Sequence, residues 1–462
     1  MYTFLLIIVN IPLEKYSFLC YNKYKHKRKD RNGIMSDFAC ERARACENGV
    51  MIYDCVNMSQ GGFFISLFVK AGILYESDAE WGITHFLEHI AIRNLNYITD
   101  GALYRDLDRY GLEFNAATYP EMIQFYITGA REHFDIGAKY IAMLLEEIRL
   151  PREDIDKERL RIKAELREAY DRNSLSAGMV RTVYDNTPLG RGILGSCGSL
   201  DRISGKRLEE YRKRIFTSDG VFFYVTGNVD DGGLSRLCGL VGGYSLTPSE
   251  KPRQTVAPRP TFFGKRRGVG MIKTGDYGKL RLQFDIDFSR VGYECLDLIY
   301  DILVSGYNSL LFSELSEKRG ICYDVSGGVD RYANIGSVFF QMELRDTRLT
   351  EALELTLSLL HRLKTETLDE GECMKADYVD NAPLLFDDMR ELNFTLATDN
   401  HILALGYESL DERKAGYEKI TPEDIRLACT EVFRKENLTV GIEGKTKNIN
   451  RDEISYIVNK YL

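Results

Sequence analysis

Apolar side chains recur along this chain at two spacings. Phe63-Phe-Ile-Ser-Leu-Phe-Val-Lys70 and Gln124-Phe-Tyr-Ile-Thr128 are short runs rich in aromatic and β-branched residues, the composition of buried strands. Elsewhere in the first half the apolar positions fall every three or four residues. That spacing predicts a helix through residues 81–90, with Trp81, Phe86, Leu87 and Ile90 on one face, and another from His133 to Ile148. The same order then returns. Leu280-Arg-Leu-Gln-Phe-Asp-Ile-Asp287 predicts a strand, Glu294 to Ser305 a helix, Val338-Phe-Phe-Gln-Met-Glu-Leu344 a strand and Leu349 to Leu363 a helix. One α+β unit used twice accounts for this better than a single irregular fold. Alternating strands and singly striped helices predict an antiparallel-rich sheet in each unit, with helices packed on one side.

Ser245 to Pro260 holds four of the ten prolines of the chain and predicts a stiff linker over residues 245–262. It would join a first domain, 35–244, to a second, 263–462. A chain of 462 residues is too long for one ordinary core, which agrees with that division. Residues 1–34 stand apart. Phe4 to Val9 is apolar and Lys23 to Arg31 basic, the reverse order of a secretory signal. The extension reads either as a start-site artefact, with Met35 opening the working protein, or as a weak membrane-surface anchor.

The net charge of −8 argues against a general nucleic-acid binder, which needs a concentrated basic face. Ten cysteines are dispersed from Cys20 to Cys429 without a Cys-x-x-Cys pair, so neither a zinc ribbon nor a stapled mini-domain is indicated. Their usage fits a reducing compartment, and a cytoplasmic location is expected. No apolar run reaches the roughly 20 residues of a transmembrane helix. Paired glycines such as Gly61-Gly62 and Gly327-Gly328 lack the strand and helix context of a dinucleotide loop and read as turns.

The chemistry concentrates in Thr84-His-Phe-Leu-Glu-His-Ile90, which carries two of only six histidines. Ser77 and Glu80 match a capping box ahead of it. On a helix, positions i and i+4 lie one above the other, so His85 and His89 can face one ion. Glu88 lies beside that face, where a carboxylate can take a proton from water and pass it to a leaving amine. A catalytic zinc normally takes three protein ligands, and the pair is one short.

The motif resembles that of the M16 peptidases, the pitrilysin or insulysin-like family, and especially the two-domain branch that includes mitochondrial processing peptidase subunits. In that family the third ligand is a glutamate on a later helix, and Glu158-Arg-Leu-Arg-Ile-Lys-Ala-Glu165 is similar to its pattern. The resemblance implies one zinc on His85, His89 and Glu165, with Glu88 as general base. Glu168, one turn beyond Glu165, remains the rival ligand. Glu158 is implied to orient a ligand, or else to be a solvated helix charge. Phe114-Asn-Ala-Ala-Thr118 looks like the family's substrate-binding edge strand, which points to Asn115 and Ala116. Asn308 to Tyr323 is similar to the segment that carries a substrate-anchoring arginine and tyrosine. Tyr323 matches, but Ser316 stands where the arginine is expected; either Arg319 substitutes from the next helical turn or a partner subunit supplies the group. The implied activity is a zinc endopeptidase acting on peptides or unfolded segments in a closed chamber. The alternative is a silent subunit kept for assembly or substrate capture. A dimer is expected, with a related second subunit favoured over a self-pair.

Overall fold

The computed structural model describes residues 40–169, 174–249, 257–272, 276–306, 308–369, 373–445 and 450–462. The extension at 1–34 and the middle of the expected linker lie outside the described residues.

Two sheets organise the chain. The first has the order β1-β2-β6-β3-β5-β4, formed by β1 (Arg42–Ala45), β2 (Met51–Val56), β3 (Gly62–Val69), β4 (Glu113–Thr118), β5 (Ile123–Ala130) and β6 (Val221–Gly227). The second has the order β7-β11-β8-β10-β9, formed by β7 (Arg267–Ile272), β8 (Tyr277–Asp287), β9 (Cys322–Arg331), β10 (Ile335–Arg345) and β11 (Leu438–Gly444). Pairing is antiparallel except for β2 with β6 and β7 with β11. The α+β expectation therefore holds, with one such sheet in each half.

Eight helices carry the site and the boundary between the halves: α1 (Ile83–Ile98), α2 (Phe134–Ala142), α3 (Arg152–Ala169), α4 (Leu175–Val183), α5 (Asp231–Gly242), α6 (Tyr293–Tyr300), α7 (Leu349–Thr365) and α8 (Met389–Ala397). The helix expected from His133 to Ile148 is shorter, since α2 ends at Ala142 and a 3-10 turn covers Met143–Leu145. Alternation in β8 sets the core of the second half. Leu280, Leu282, Phe284 and Ile286 are fully buried on one face, while Arg281, Gln283 and Asp285 occupy the other.

That polar face is not left to water. Helix α4 crosses from the first half and lies on β7 and β11, so close that a Cβ on Gly441 would meet the Met179 sulfur at 2.6 Å. Arg267 donates to the carbonyls of Thr182 and Val183 at its end. The second half reciprocates with α8, which covers the first sheet. Its fully buried Asn393 accepts from Ser66 Oγ at 2.6 Å and donates to the Tyr224 carbonyl at 2.9 Å, while Leu392 and Leu396 pack on Phe68 and Phe222. Each half thus closes the other's sheet face, and Ser66, the Tyr224 carbonyl and Arg267 find partners across the boundary.

Candidate metal centre

Helix α1 begins abruptly, and its start fixes the histidines. The capping box at Ser77 and Glu80 forms, but it closes a separate 3-10 turn, Asp78–Glu80. Helix α1 starts only after Gly82, whose φ of 88° favours glycine and whose Cβ would lie 2.8 Å from the Gly195 Cα. Its first amides are capped from outside. Glu76 accepts from the N–H of Gly82 and of Thr84, each at 2.9 Å. Phe86, Leu87 and Ile90 are fully buried, which turns His85 and His89 toward α3.

The two helices bring three donors to one point. Glu165 Oε1 lies 3.5 Å from His85 Nε2, and Glu165 Oε2 lies 3.5 Å from His89 Nε2. One ligand atom of each residue lies within 4.8 Å of the others, a grouping that no other His, Cys, Asp or Glu set makes among the described residues. Bonds of about 2.0–2.1 Å in a tetrahedron give ligand edges of about 3.3 Å, so donors spread over as much as 4.8 Å would draw together around a zinc-sized ion. Glu168 faces solvent. Of the two rivals, Glu165 is the one that meets the histidines.

Glu158, two turns back on α3, is buried and accepts from His89 Nδ1 at 3.1 Å. That bond engages Nδ1, so Nε2 is the nitrogen that faces the shared point. Arg93 Nε and Arg161 Nη1 sit 3.3 and 3.4 Å from its other oxygen. Burial works to lower the basicity of His89, but its bonds to Glu158 and Glu165 overcome it and push the pKa up to about 10. His85 is shifted down by burial, and its Nδ1 finds no partner among the described residues. Burial works to raise Glu165, yet the hydrogen bond from His89 and the charge of both imidazoles hold it below the usual carboxylate range.

Glu88 is buried beside this group, and Thr118 Oγ1 donates to its Oε2 at 2.6 Å. Thr118 is the last residue of β4, an edge strand that pairs only with β5. On β4 the Ala116 N–H donates to the Asn115 Oδ1 at 2.9 Å. Tyr323 and Arg319 lie elsewhere in the fold. Tyr323 is the second residue of β9, with 94% of its surface exposed and its carbonyl accepting from Ser316 Oγ, and Arg319 pairs with Glu314 in its own segment.

The pattern of matches agrees with this geometry. A family model described as "Insulinase (Peptidase family M16)" matches residues 63–196, and one described as "Peptidase M16 inactive domain" matches residues 202–376. The chain belongs to peptidase family M16. Similar proteins include an uncharacterized zinc protease of Mycobacterium bovis, 23% identical over 67% of this chain and 71% of that one. The uncharacterized zinc protease YmxG of Bacillus subtilis is 24% identical over 69% of this chain and 78% of its own length. Among solved structures, a Helicobacter pylori protease has a TM-score of 0.76 at 17% identity, covering 88% of this chain and all (100%) of that one. The first half of the periplasmic protease PqqL of Escherichia coli has a TM-score of 0.75 at 15% identity, covering 92% and 97%. Such likeness shows the M16 fold. No described helix of this M16 chain is long and apolar enough to cross a membrane.

Two groups escaped the sequence reading of this M16 site. Arg93 stands four residues after His89 and so shares the histidine stripe, a periodicity that could have flagged it. Glu76 has no such signal, because it reaches α1 through a turn rather than through helical spacing.

Proposed function

We propose that this M16 chain is a zinc-dependent endopeptidase for peptides or unfolded segments. The observation that carries the reading is the convergence of His85, His89 and Glu165, with Glu88 beside them and bonded to the end of an open strand edge. Zinc held there would act as a Lewis acid toward the scissile carbonyl and lower the pKa of water toward about 7. The substrate adds as a strand along β4, where its backbone displaces the Asn115 side chain from the Ala116 N–H. Such pairing reads backbone rather than sequence. Thr118 occupies Glu88 Oε2, which leaves Oε1 to take the proton of the attacking water and return it to the leaving amine. Glu158 keeps His89 in the tautomer that offers Nε2.

The substrate's far end is held by a second chain in this reading. Ser316 spends its hydroxyl on the Tyr323 carbonyl, and Arg319 is engaged by Glu314, so neither stands ready as a long charged anchor. A dimer results, with a related subunit favoured over a self-pair, working in the cytoplasm.

The test is metal analysis with peptide cleavage by the purified chain, alone and with an added homologue. One zinc per chain is expected. Glu88→Gln should keep that zinc and lose roughly a hundredfold or more in turnover. Loss of zinc along with activity in this variant would make Glu88 a structural group. Zinc retained with no cleavage by the unaltered chain in either setting would favour the silent capture subunit. Full activity from a monomer would refute the dimer.

A further inference from the structure

The cysteines are scattered in sequence, yet the fold brings two of them together. Cys46 opens the turn between β1 and β2, its N–H donating to the Val50 carbonyl and its carbonyl accepting from Gly49, each at 2.9 Å. Cys238 lies on α5. Their sulfurs are 3.0 Å apart although 192 positions separate them in the chain. That is about 1 Å longer than the ~2.04 Å of a disulfide bond.

The surrounding contacts hold this approach in place. At the start of α5, Asp231 pairs with Arg42 and Arg44 of β1. At its end, Asn48 Nδ2 donates to the carbonyls of Val241 and Tyr244, both at 2.9 Å. The β1 segment is thus fastened along the whole helix, with the two sulfurs facing each other between the fastenings. Cys46 is buried, whereas Cys238 is partly open to solvent.

We propose that Cys46 and Cys238 are a modification site at which a peroxide or a small-molecule disulfide installs a reversible staple. The bond closes a covalent loop over residues 46–238, which contains His85, Glu88, His89, Glu158 and Glu165. With hydrogen peroxide, the Cys238 sulfur attacks one oxygen, the O–O bond breaks, and the departing hydroxide leaves as water after protonation. The resulting sulfenic acid is attacked by the Cys46 sulfur, and its hydroxyl leaves as a second water. Two thiols and one peroxide give one disulfide and two waters, each sulfur surrendering one electron. A disulfide oxidant reaches the same bond by exchange, releasing two small thiols. Cys238 reacts first because it meets solvent, while burial and the neighbouring sulfur shift the Cys46 thiol upward. The staple does not depend on the peptidase reading.

The experiment starts from the full chain reduced with a phosphine, which is then exposed to a few equivalents of hydrogen peroxide, alkylated and mapped by non-reducing mass spectrometry. Linked peptides containing Cys46 and Cys238 are expected, with the titratable thiols falling from the ten of the chain to eight. Closing so long a loop should raise the melting temperature by about 10 °C. Dithiothreitol should reverse the rise, and Cys238→Ser or Cys238→Ala should abolish it while Cys197→Ser leaves it intact. Full alkylation of Cys46 and Cys238 after peroxide would overturn the proposal. So would sulfinic acid accumulating on Cys238, or a linkage that leaves these two free. The linkage is read on the unaltered chain, so a poorly folding variant cannot obscure the result.

Discussion

Replacing Glu158 by glutamine tests how α3 tunes the metal centre. The variant keeps an oxygen for His89 Nδ1 but removes the charge that His89, Arg93 and Arg161 share. Two effects then oppose each other. Loss of the carboxylate weakens the imidazole as a ligand, which typically costs about 10–100-fold in metal affinity. It also lowers the pKa of His89, which the carboxylates have pushed up to about 10. At pH 8 that imidazole is almost wholly protonated without metal, so a metal must first expel the proton. The folded pKa is raised, so the penalty is largest at low pH and vanishes as pH climbs through the folded value. Zinc affinity of the unaltered chain should therefore rise about tenfold per pH unit from 7 to 9, with close to one proton released from His89 per zinc at pH 8. Glu158→Gln should level off earlier and release fewer protons. Its deficit should then be small at pH 6.5 and widen toward pH 9. Chelator-buffered zinc titrations, with calorimetry in buffers of different ionisation enthalpy, measure both quantities. Parallel pH profiles with equal proton release would refute the reasoning.

Three further outcomes each rest on a single contact. Glu165→Gln should abolish stoichiometric zinc in metal analysis while Glu168→Gln leaves it unchanged, since only Glu165 reaches both histidines. Thr118→Val removes the hydrogen bond to Glu88 and should lower kcat by about tenfold or more with KM and zinc content little changed, given about 1.5–3 kcal/mol for a bond to a charged group. Gly82→Ala should lower the melting temperature by several degrees, because a Cβ at φ 88° is strained and strikes the Gly195 backbone. An unshifted melt would show that the α1 start is adjustable.

The strands were the most legible part of the sequence, because short runs of aromatic and β-branched residues mark strands that are buried on both faces. The run Phe63 to Lys70 became β3, and Leu280 to Asp287 fell inside β8. The histidine pair was legible for a different reason, a fixed spacing on one helix. The start of α1 was not. Glu80 does satisfy Ser77, but Arg214 also holds its carboxylate, and the true cap is Glu76, which no local pattern marks. Glu158 carried two readings in sequence, and only the placement of α3 against α1 buries it against His89. Nothing in the sequence foretold that Asn393 would bind the first sheet or that Met179 would lie on the second, since those contacts arise between segments far apart in the chain.

The duplication also explains why, among the described residues, only one half carries the donor cluster. In the first half the last residue of the edge strand, Thr118, donates to Glu88 on the helix that follows β3. In the second half the last residue of β9, Arg331, donates to Asp297 on α6, the helix that follows β8. Asp297 and Asp301 stand four apart, the spacing of His85 and His89, so two carboxylates occupy the face where a metal pair could have been. Neither is available to a cation. Asp297 is neutralised by Arg331, whose side chain is only 7% exposed, and accepts from Tyr417 at 2.9 Å, while Asp301 accepts from Tyr378 at 2.5 Å. Burial pushes Asp301 up to about 6, further reducing its charge. Buried ion pairs of this kind add little net stability, but removing one partner leaves the other charge stranded. The second half has filled with side chains the place that the first half keeps as a cluster of donors, which fits a match to a model described as an inactive domain and the proposal of one zinc per chain.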